Sequence, residues 1–209
     1  MTFTIYGVIG SRASRCMWTA EEAGVAYDWK PISTLDGSNK TEEFLSINPS
    51  GKIPALSDEG GVVMTESMAI NMYIAQNYGA ATLWPAEKAA QARALQWTFW
   101  SATEIEYYIG ALFPHLVMRK EEDRDYALVE QLKAQMMPKL AELDHALSGK
   151  DYLLDTFSIA DINVCVQLIT ITRNFKFDIS GLPSVVAWLD RCLERPARVK
   201  IDTLAGFRK

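Results

Sequence analysis

The residue pattern changes character once, near residue 80, and that change limits the folds open to the chain. Before it, short β-rich runs alternate with short helical ones. Phe3 to Val8 reads as a strand from its β-branched and aromatic content. Ser14 to Ala23 predicts a helix, stopped by Gly24 in a left-handed cap. Val25 to Lys30 predicts a second strand, ended by Pro31, and Leu35 to Asn39 is turn-like. Thr41 to Ile47 predicts a short helix with Thr41 as its cap, and Asn48-Pro49-Ser50-Gly51-Lys52 is a dense turn signal. Ile53 to Ser57 and Val62 to Met64 predict two strands joined by the hairpin connection Asp58-Glu59-Gly60-Gly61. A helix over Ser67 to Tyr78, with Gly79 at its end, completes the order βαβαββα.

From Ala86 onward every pattern is helical. Trp97, Trp100, Glu104, Tyr107, Tyr108 and Ala111 fall along one face of a long helix over residues ~87–115. Val129, Leu132, Met136, Leu140, Leu143 and Leu147 recur at steps of three or four, an amphipathic stripe that Pro138 is expected to kink. Ile159 to Thr172 is apolar nearly all round, which predicts a buried helix. Val185, Trp188, Leu189 and Cys192 mark a last helix, starting near Pro183 and ended by Pro196. The segment from Gly79 to Pro85 is the expected linker.

A length of 209 residues allows one to two domains. The formal charge, 21 basic against 26 acidic side chains, is −5, which argues against nucleic acid, whose phosphates need clustered positive charge. Ser67 to Ala86 carries no charged side chain, yet Asn71, Gln76, Asn77, Gly79 and Pro85 break it up, so no membrane span is expected. Three cysteines, Cys16, Cys165 and Cys192, form no Cys-x-x-Cys pair, and His115 and His145 stand far apart. Neither a disulfide framework nor a metal centre is expected, and with no secretory signal evident the chain reads as cytoplasmic.

Four local sequences punctuate this order. Ser11-Arg12-Ala13-Ser14-Arg15 follows the first strand. Asn48-Pro49-Ser50-Gly51-Lys52-Ile53-Pro54-Ala55-Leu56 puts a proline at the opening of the third. Glu66-Ser67 opens the helix that closes the first half, and Ser158-Ile159-Ala160-Asp161 opens the apolar helix. Together, in this order, they resemble the glutathione S-transferases, in particular the bacterial serine-type, theta-like members, over nearly the whole chain. The resemblance implies an α/β thioredoxin-like N-terminal domain over residues 1–80 that binds glutathione. An all-α helical-bundle C-terminal domain over residues 86–209 would follow and contribute the electrophile pocket.

The chemistry of the residues can be set beside that resemblance. Ile53–Pro54 in the trans form would merely end a turn. In the cis form, which the resemblance implies, it turns the N–H and C=O of Ile53 outward to pair with a short peptide as an added strand. Ser67 caps a helix whose free N–H groups suit a carboxylate, and Glu66 suits an ammonium; the two charges on one carbon describe the γ-glutamyl end of glutathione. Lys52, with Lys40 as the second candidate, faces the glycyl carboxylate. Ser11 matches the serine that theta-like members use to hold the sulfur as thiolate, with Ser14 or a backbone donor as alternatives. Arg12 and Arg15 add positive potential, and Arg12 falls where beta-like members carry a cysteine. Ile9, Thr103, Tyr107, Tyr108 and Phe113 are the candidates for an electrophile pocket between the halves, with core or dimer interface as the alternative for the aromatic stripe, which weighs more on the others than on Tyr107. Ser158 and Asp161 fit a capping box with Phe157 and Ile162 as its staple, a stabilising device.

The implied activity is glutathione transfer to a small hydrophobic electrophile, with glutathione as co-substrate and no metal. A homodimer is implied, for which Met68, Met72, Tyr73 and Trp97 are interface candidates. A non-catalytic glutathione-binding or protein-interaction module, or a glutathione-dependent isomerase, dehalogenase or reductase, are the other readings of the same fold.

Overall fold

β1 (Phe3–Tyr6) buries Phe3, Ile5 and Tyr6 and becomes an inner strand. In the computed structural model, which describes residues 2–79 and 83–207, the sheet order is β2-β1-β3-β4, with β2 (Asp28–Lys30), β3 (Ala55–Asp58) and β4 (Val63–Thr65). β2 runs parallel to β1, and this requires the crossover helix α1 (Ala13–Ala23) between them. β3 pairs antiparallel with β1, and β4 with β3, so that Ile5 lies opposite both Trp29 and Leu56. β2 is shorter than the expected Val25 to Lys30 because only Asp28–Lys30 finds partners, in Thr4 to Tyr6. Gly24 ends α1 at φ 67°, its N–H donating to the carbonyls of Ala20 and Glu21. α2 (Glu42–Ile47) is capped by Thr41, whose hydroxyl accepts from Phe44 N–H, and α3 (Ser67–Asn77) packs on α1.

The second unit, Glu87–Leu193, is helical. α4 (Lys88–Trp100) runs through a π-helical turn (Ser101–Ile105) into α5 (Glu106–Phe113), and a further π-turn spans Pro114–Met118. α6 (Tyr126–Leu147), α7 (Ile159–Ile169) and α8 (Pro183–Leu193) follow. The stripe read on α6 is the buried one, Val129 through Leu147. Pro138 does not break that helix. Its missing hydrogen bond would have gone to the carbonyl of Ala134, and both residues are exposed, so water can serve that carbonyl.

The aromatic face read on the long helix is not its core face. The residues buried there are Ala94, Thr98, Ser101, Ile105, Ile109 and Leu112. Two of them are polar because they meet a polar partner. Asn163 of α7 donates to Thr98 Oγ1 at 3.1 Å, and Ser101 Oγ donates to the Asn163 carbonyl at 3.0 Å. Core positions occupied by hydroxyls hide a stripe from a hydrophobicity count.

The sequence reading kept residues 86–209 together. The structure instead groups Glu194–Lys209 with Met1–Ala86, through a helix that was not expected, α9 (Pro196–Leu204). Pro196 does not end structure but opens this helix at its first turn, where no N–H is needed. α9 packs on α1: Arg195 forks Glu22 with two bonds of 2.7 Å, Lys200 Nζ reaches Glu21 at 2.7 Å, and buried Arg198 pairs with Asp202. Residues 80–82 of the expected linker lie outside the described residues. No described helix is long and apolar enough to cross a membrane.

Candidate active site

At Gly7 three elements of the first unit come close together. At φ 145° a β-carbon there would sit 2.6 Å from Ala13 Cβ and 3.5 Å from Ile53 Cβ. Only glycine permits this approach, and it brings the loop after β1, the first turn of α1 and Ile53 into one place. One turn along α1, the buried Cys16 thiol donates to the Ser67 carbonyl at 3.5 Å and ties in the start of α3. Three of the four predicted local sequences therefore meet around the beginning of α1.

Ser11 lies half-buried in the loop ahead of α1. Its Oγ donates to the Val8 carbonyl at 2.6 Å and accepts from Ala13 N–H at 3.1 Å, so the hydroxyl sits at the positive end of the helix. Ser14 does not open the helix as predicted. The helix starts one residue earlier, at Ala13, and Ser14 Oγ accepts from Gly10 N–H at 2.9 Å, which braces the loop instead. Arg12 is exposed at the helix start and Arg15 is buried within it. Burial pushes the Cys16 thiol up to about 12, against the lowering field of Arg15. It stays protonated and serves packing rather than nucleophilic chemistry.

The Ile53–Pro54 bond is cis, as the resemblance implies. Ile53 is half-buried at the end of a turn built by two buried asparagines that sequence reasoning passed over. Asn48 Nδ2 donates to the Lys52 carbonyl at 2.7 Å, while its Oδ1 accepts from Ser50 N–H at 3.1 Å. Asn39 Nδ2 donates to the Gly51 carbonyl at 2.7 Å. Asn48 heads the Asn-Pro-Ser-Gly turn, and that position was the available signal. Lys52 is exposed beside this turn. Lys40 reaches it too, since a β-carbon on Gly51 would sit 2.9 Å from Lys40 Nζ. Glu66 is exposed at φ 65°, ψ 103°, immediately before the buried Ser67. A non-glycine residue in that region carries strain of the kind found at ligand clamps.

The second set of predicted residues is less uniform. Ile9 is half-buried in the loop after β1. Thr103 lies on the π-turn with its hydroxyl spent on the Phe99 carbonyl at 3.0 Å. Tyr107 is 65% exposed and meets Tyr108 edge to face at 5.3 Å. Phe113 packs edge-on against buried Phe175 at 6.4 Å, a packing role within the helical unit. The capping box at Ser158 and Asp161 is present, and Phe157 and Ile162 are both buried beside it.

Residues 1–76 match the family model "Glutathione S-transferase, N-terminal domain", and residues 105–196 match "Glutathione S-transferase, C-terminal domain". Glutathione S-transferase 3 of Zea mays is 30% identical over 204 residues, covering 92% of this chain and 90% of that protein. Glutathione S-transferase GstB of Escherichia coli K12 is 28% identical over 201 residues, 95% of this chain and 96% of its own. Among solved structures, the theta class glutathione S-transferase of Xanthomonas axonopodis pv. citri, with glutathione bound, superposes with TM-score 0.86 at 32% identity, covering 95% of both chains.

Proposed function

Because the chain belongs to the glutathione S-transferase family, we propose that its first unit grips glutathione around the start of α1 and holds the sulfur as thiolate through Ser11. The enzyme is a glutathione transferase. The observation that carries the site assignment is the convergence of Ser11, Ile53 and Ser67 on the first turns of one helix. The residues there fit the tripeptide. The Ile53 backbone pairs with the cysteinyl unit, next to the buried cis Pro54. Ser67 and the N–H groups of α3 receive the γ-glutamyl carboxylate, Glu66 its ammonium, and Lys52 and Lys40 the glycyl carboxylate.

A free thiol with a pKa of about 8.5 is mostly protonated near neutrality. Ser11 lowers that value by donating its hydroxyl proton, and the α1 dipole and the guanidinium of Arg12 add positive potential. Ser11 must release the Val8 carbonyl to do so, because a hydroxyl has one proton to give. The thiolate then attacks a small hydrophobic electrophile. Tyr107 is the most open of the aromatic candidates for that partner, and Tyr108, Thr103 and Ile9 are the others proposed. Phe113 supports rather than lines such a site. Thiol exchange through a protein cysteine is disfavoured by the buried, protonated state of Cys16.

We further propose a cytoplasmic homodimer, to be tested by sedimentation at micromolar concentration. The Ser67-proximal methionines Met68 and Met72 are its half-buried candidates, along with Trp97. Tyr73 is half-buried too and donates its hydroxyl to Asp58. The decisive test of the catalytic reading is Ser11→Ala. The pKa of bound glutathione should rise and kcat fall roughly 10- to 1000-fold. A thiolate absorbance unchanged across the neutral range would remove Ser11 from the role.

A further inference from the structure

Trp29 sits on the edge strand β2 with its indole 43% exposed, yet its one polar atom is spent on the loop that carries Ser11. Nε1–H donates to the Gly7 carbonyl at 2.7 Å. The Gly7 N–H donates to the carbonyl of the neighbouring Lys30 at 2.9 Å, so β2 holds Gly7 by both its polar groups. Gly7 is the residue that backs onto Ala13 and Ile53. The next carbonyl along the chain, that of Val8, accepts the Ser11 hydroxyl at 2.6 Å. A continuous route of hydrogen bonds and two peptide units thus runs from the indole to the hydroxyl.

We propose that Trp29 is a positioning residue for the thiolate site. By pinning the Gly7 carbonyl it fixes the Gly7–Val8 peptide, and through it the direction of the Val8 carbonyl that orients the Ser11 hydroxyl. The inference rests on the assignment of Ser11 as sulfur donor. The hydroxyl proton is shared between two acceptors in turn, the Val8 carbonyl and the sulfur. A Val8 carbonyl free to rotate would either retain the proton or leave the hydroxyl misaimed, and a donor misplaced by a fraction of an ångström loses much of its effect. Trp29 makes no hydrogen bond to the Ser11 hydroxyl, whose partners are Val8 and Ala13. Its effect must therefore fall on thiolate formation and turnover and not on the grip of the tripeptide's charged ends.

The test compares Trp29→Phe with replacement of Trp29 by benzothienylalanine, which keeps the ring shape and exchanges the N–H for sulfur. Each is made in the wild-type and the Ser11→Ala background. The pKa of bound glutathione is read from thiolate absorbance, with kcat and KM alongside. In the wild-type background both replacements should raise that pKa and lower kcat roughly 3- to 10-fold, while KM for glutathione moves less than about twofold. In the Ser11→Ala background they should add nothing, because the group they act through is gone. A benzothienylalanine protein with an unshifted thiol, or an equal loss in both backgrounds, overturns the role of Trp29 and leaves Ser11 standing. An unshifted thiol in Ser11→Ala alone overturns the Ser11 assignment and the Trp29 role with it. Should Trp29→Phe fail to fold, the shape-preserving replacement still decides.

Discussion

Glu66, at φ 65°, is one of two described non-glycine residues with positive φ, and it directly precedes Ser67. Strain of this kind costs on the order of 1–3 kcal/mol and persists where the surrounding structure enforces it. Glycine adopts the conformation without that cost, though it adds unfolded-chain entropy of similar size. Glu66→Gly should therefore leave the melting temperature unchanged or raised, while calorimetric affinity for glutathione falls at least about fivefold with loss of the ammonium partner. Glu66→Ala should lose affinity equally and melt lower than the glycine variant. Equal affinity in all three proteins would remove Glu66 from the γ-glutamyl site. Asp161 is a carboxylate of another kind, fully buried by its surroundings. It accepts from Leu153 N–H, Ser158 N–H and the Trp188 indole at 2.8–2.9 Å. Burial raises its pKa above the usual carboxylate value, and these donors pull back against it. The folded carboxyl thus keeps its proton to higher pH than the unfolded one. As pH rises through that window the unfolded chain ionises first, so this group's contribution to stability declines. Asparagine does not titrate. The melting-temperature advantage of wild type over Asp161→Asn should accordingly be larger at about pH 4.5 than at about pH 7. A gap that widens with pH would reverse the assigned direction.

At the scale of elements, α6 carries a proline in its interior without ending there. Pro138 forfeits one backbone bond and crowds Ala134, on a face open to water. Pro138→Ala should restore the bond and stabilise the protein by about 1 kcal/mol, after the entropy that alanine returns to the unfolded chain. Urea denaturation should show a higher midpoint at unchanged slope; a lower midpoint would mean that the ring itself is packing. The same helix shows why much of the fold was legible. Its core positions are all aliphatic or Met, so the stripe from Val129 to Leu147 reads directly. The core face of α4 and α5 was not legible for the opposite reason. Thr98 and Ser101 occupy core positions because Asn163 completes their hydrogen bonds, and the π-turn after Trp100 shifts the periodicity on which the reading relied. The site divides likewise. Its short motifs were readable as local sequence, and the cis Ile53–Pro54 bond only through the resemblance they carry. The reach of Trp29 to Gly7, across twenty-two residues, and the support of Gly51 by Asn39 are tertiary contacts with no local trace.

The whole chain completes its first unit last. α9, which follows the helical unit in the chain, packs on α1, the helix whose opposite end carries the proposed thiolate site. Its attachment is largely ionic. The Arg195 fork on Glu22 is reinforced by the Trp18 indole, which donates to the same carboxylate at 3.0 Å, and the Arg198 guanidinium lies 5.3 Å from the centre of the Trp18 ring. Arg198 and Asp202 are both buried, and α9 covers α1 where Trp18 is fully buried. Without α9, Trp18 would lose cover and Glu21 and Glu22 their cationic partners. The deficit is comparable with the whole stability of a small domain, since an aromatic core residue alone is worth about 3–5 kcal/mol. A fragment of residues 1–86 should therefore melt without a cooperative transition and bind no glutathione. Joining residues 194–209 to it by a flexible glycine–serine linker should restore both, because the added segment carries Arg195, Arg198 and Lys200, which meet Glu22, Trp18 and Glu21. Calorimetry of the two fragments distinguishes the outcomes. A cooperative transition in 1–86 alone would mean that the sheet and its three helices carry their own core and that α9 is an accessory. Failure of the linked fragment would instead place the missing stability in the helical unit.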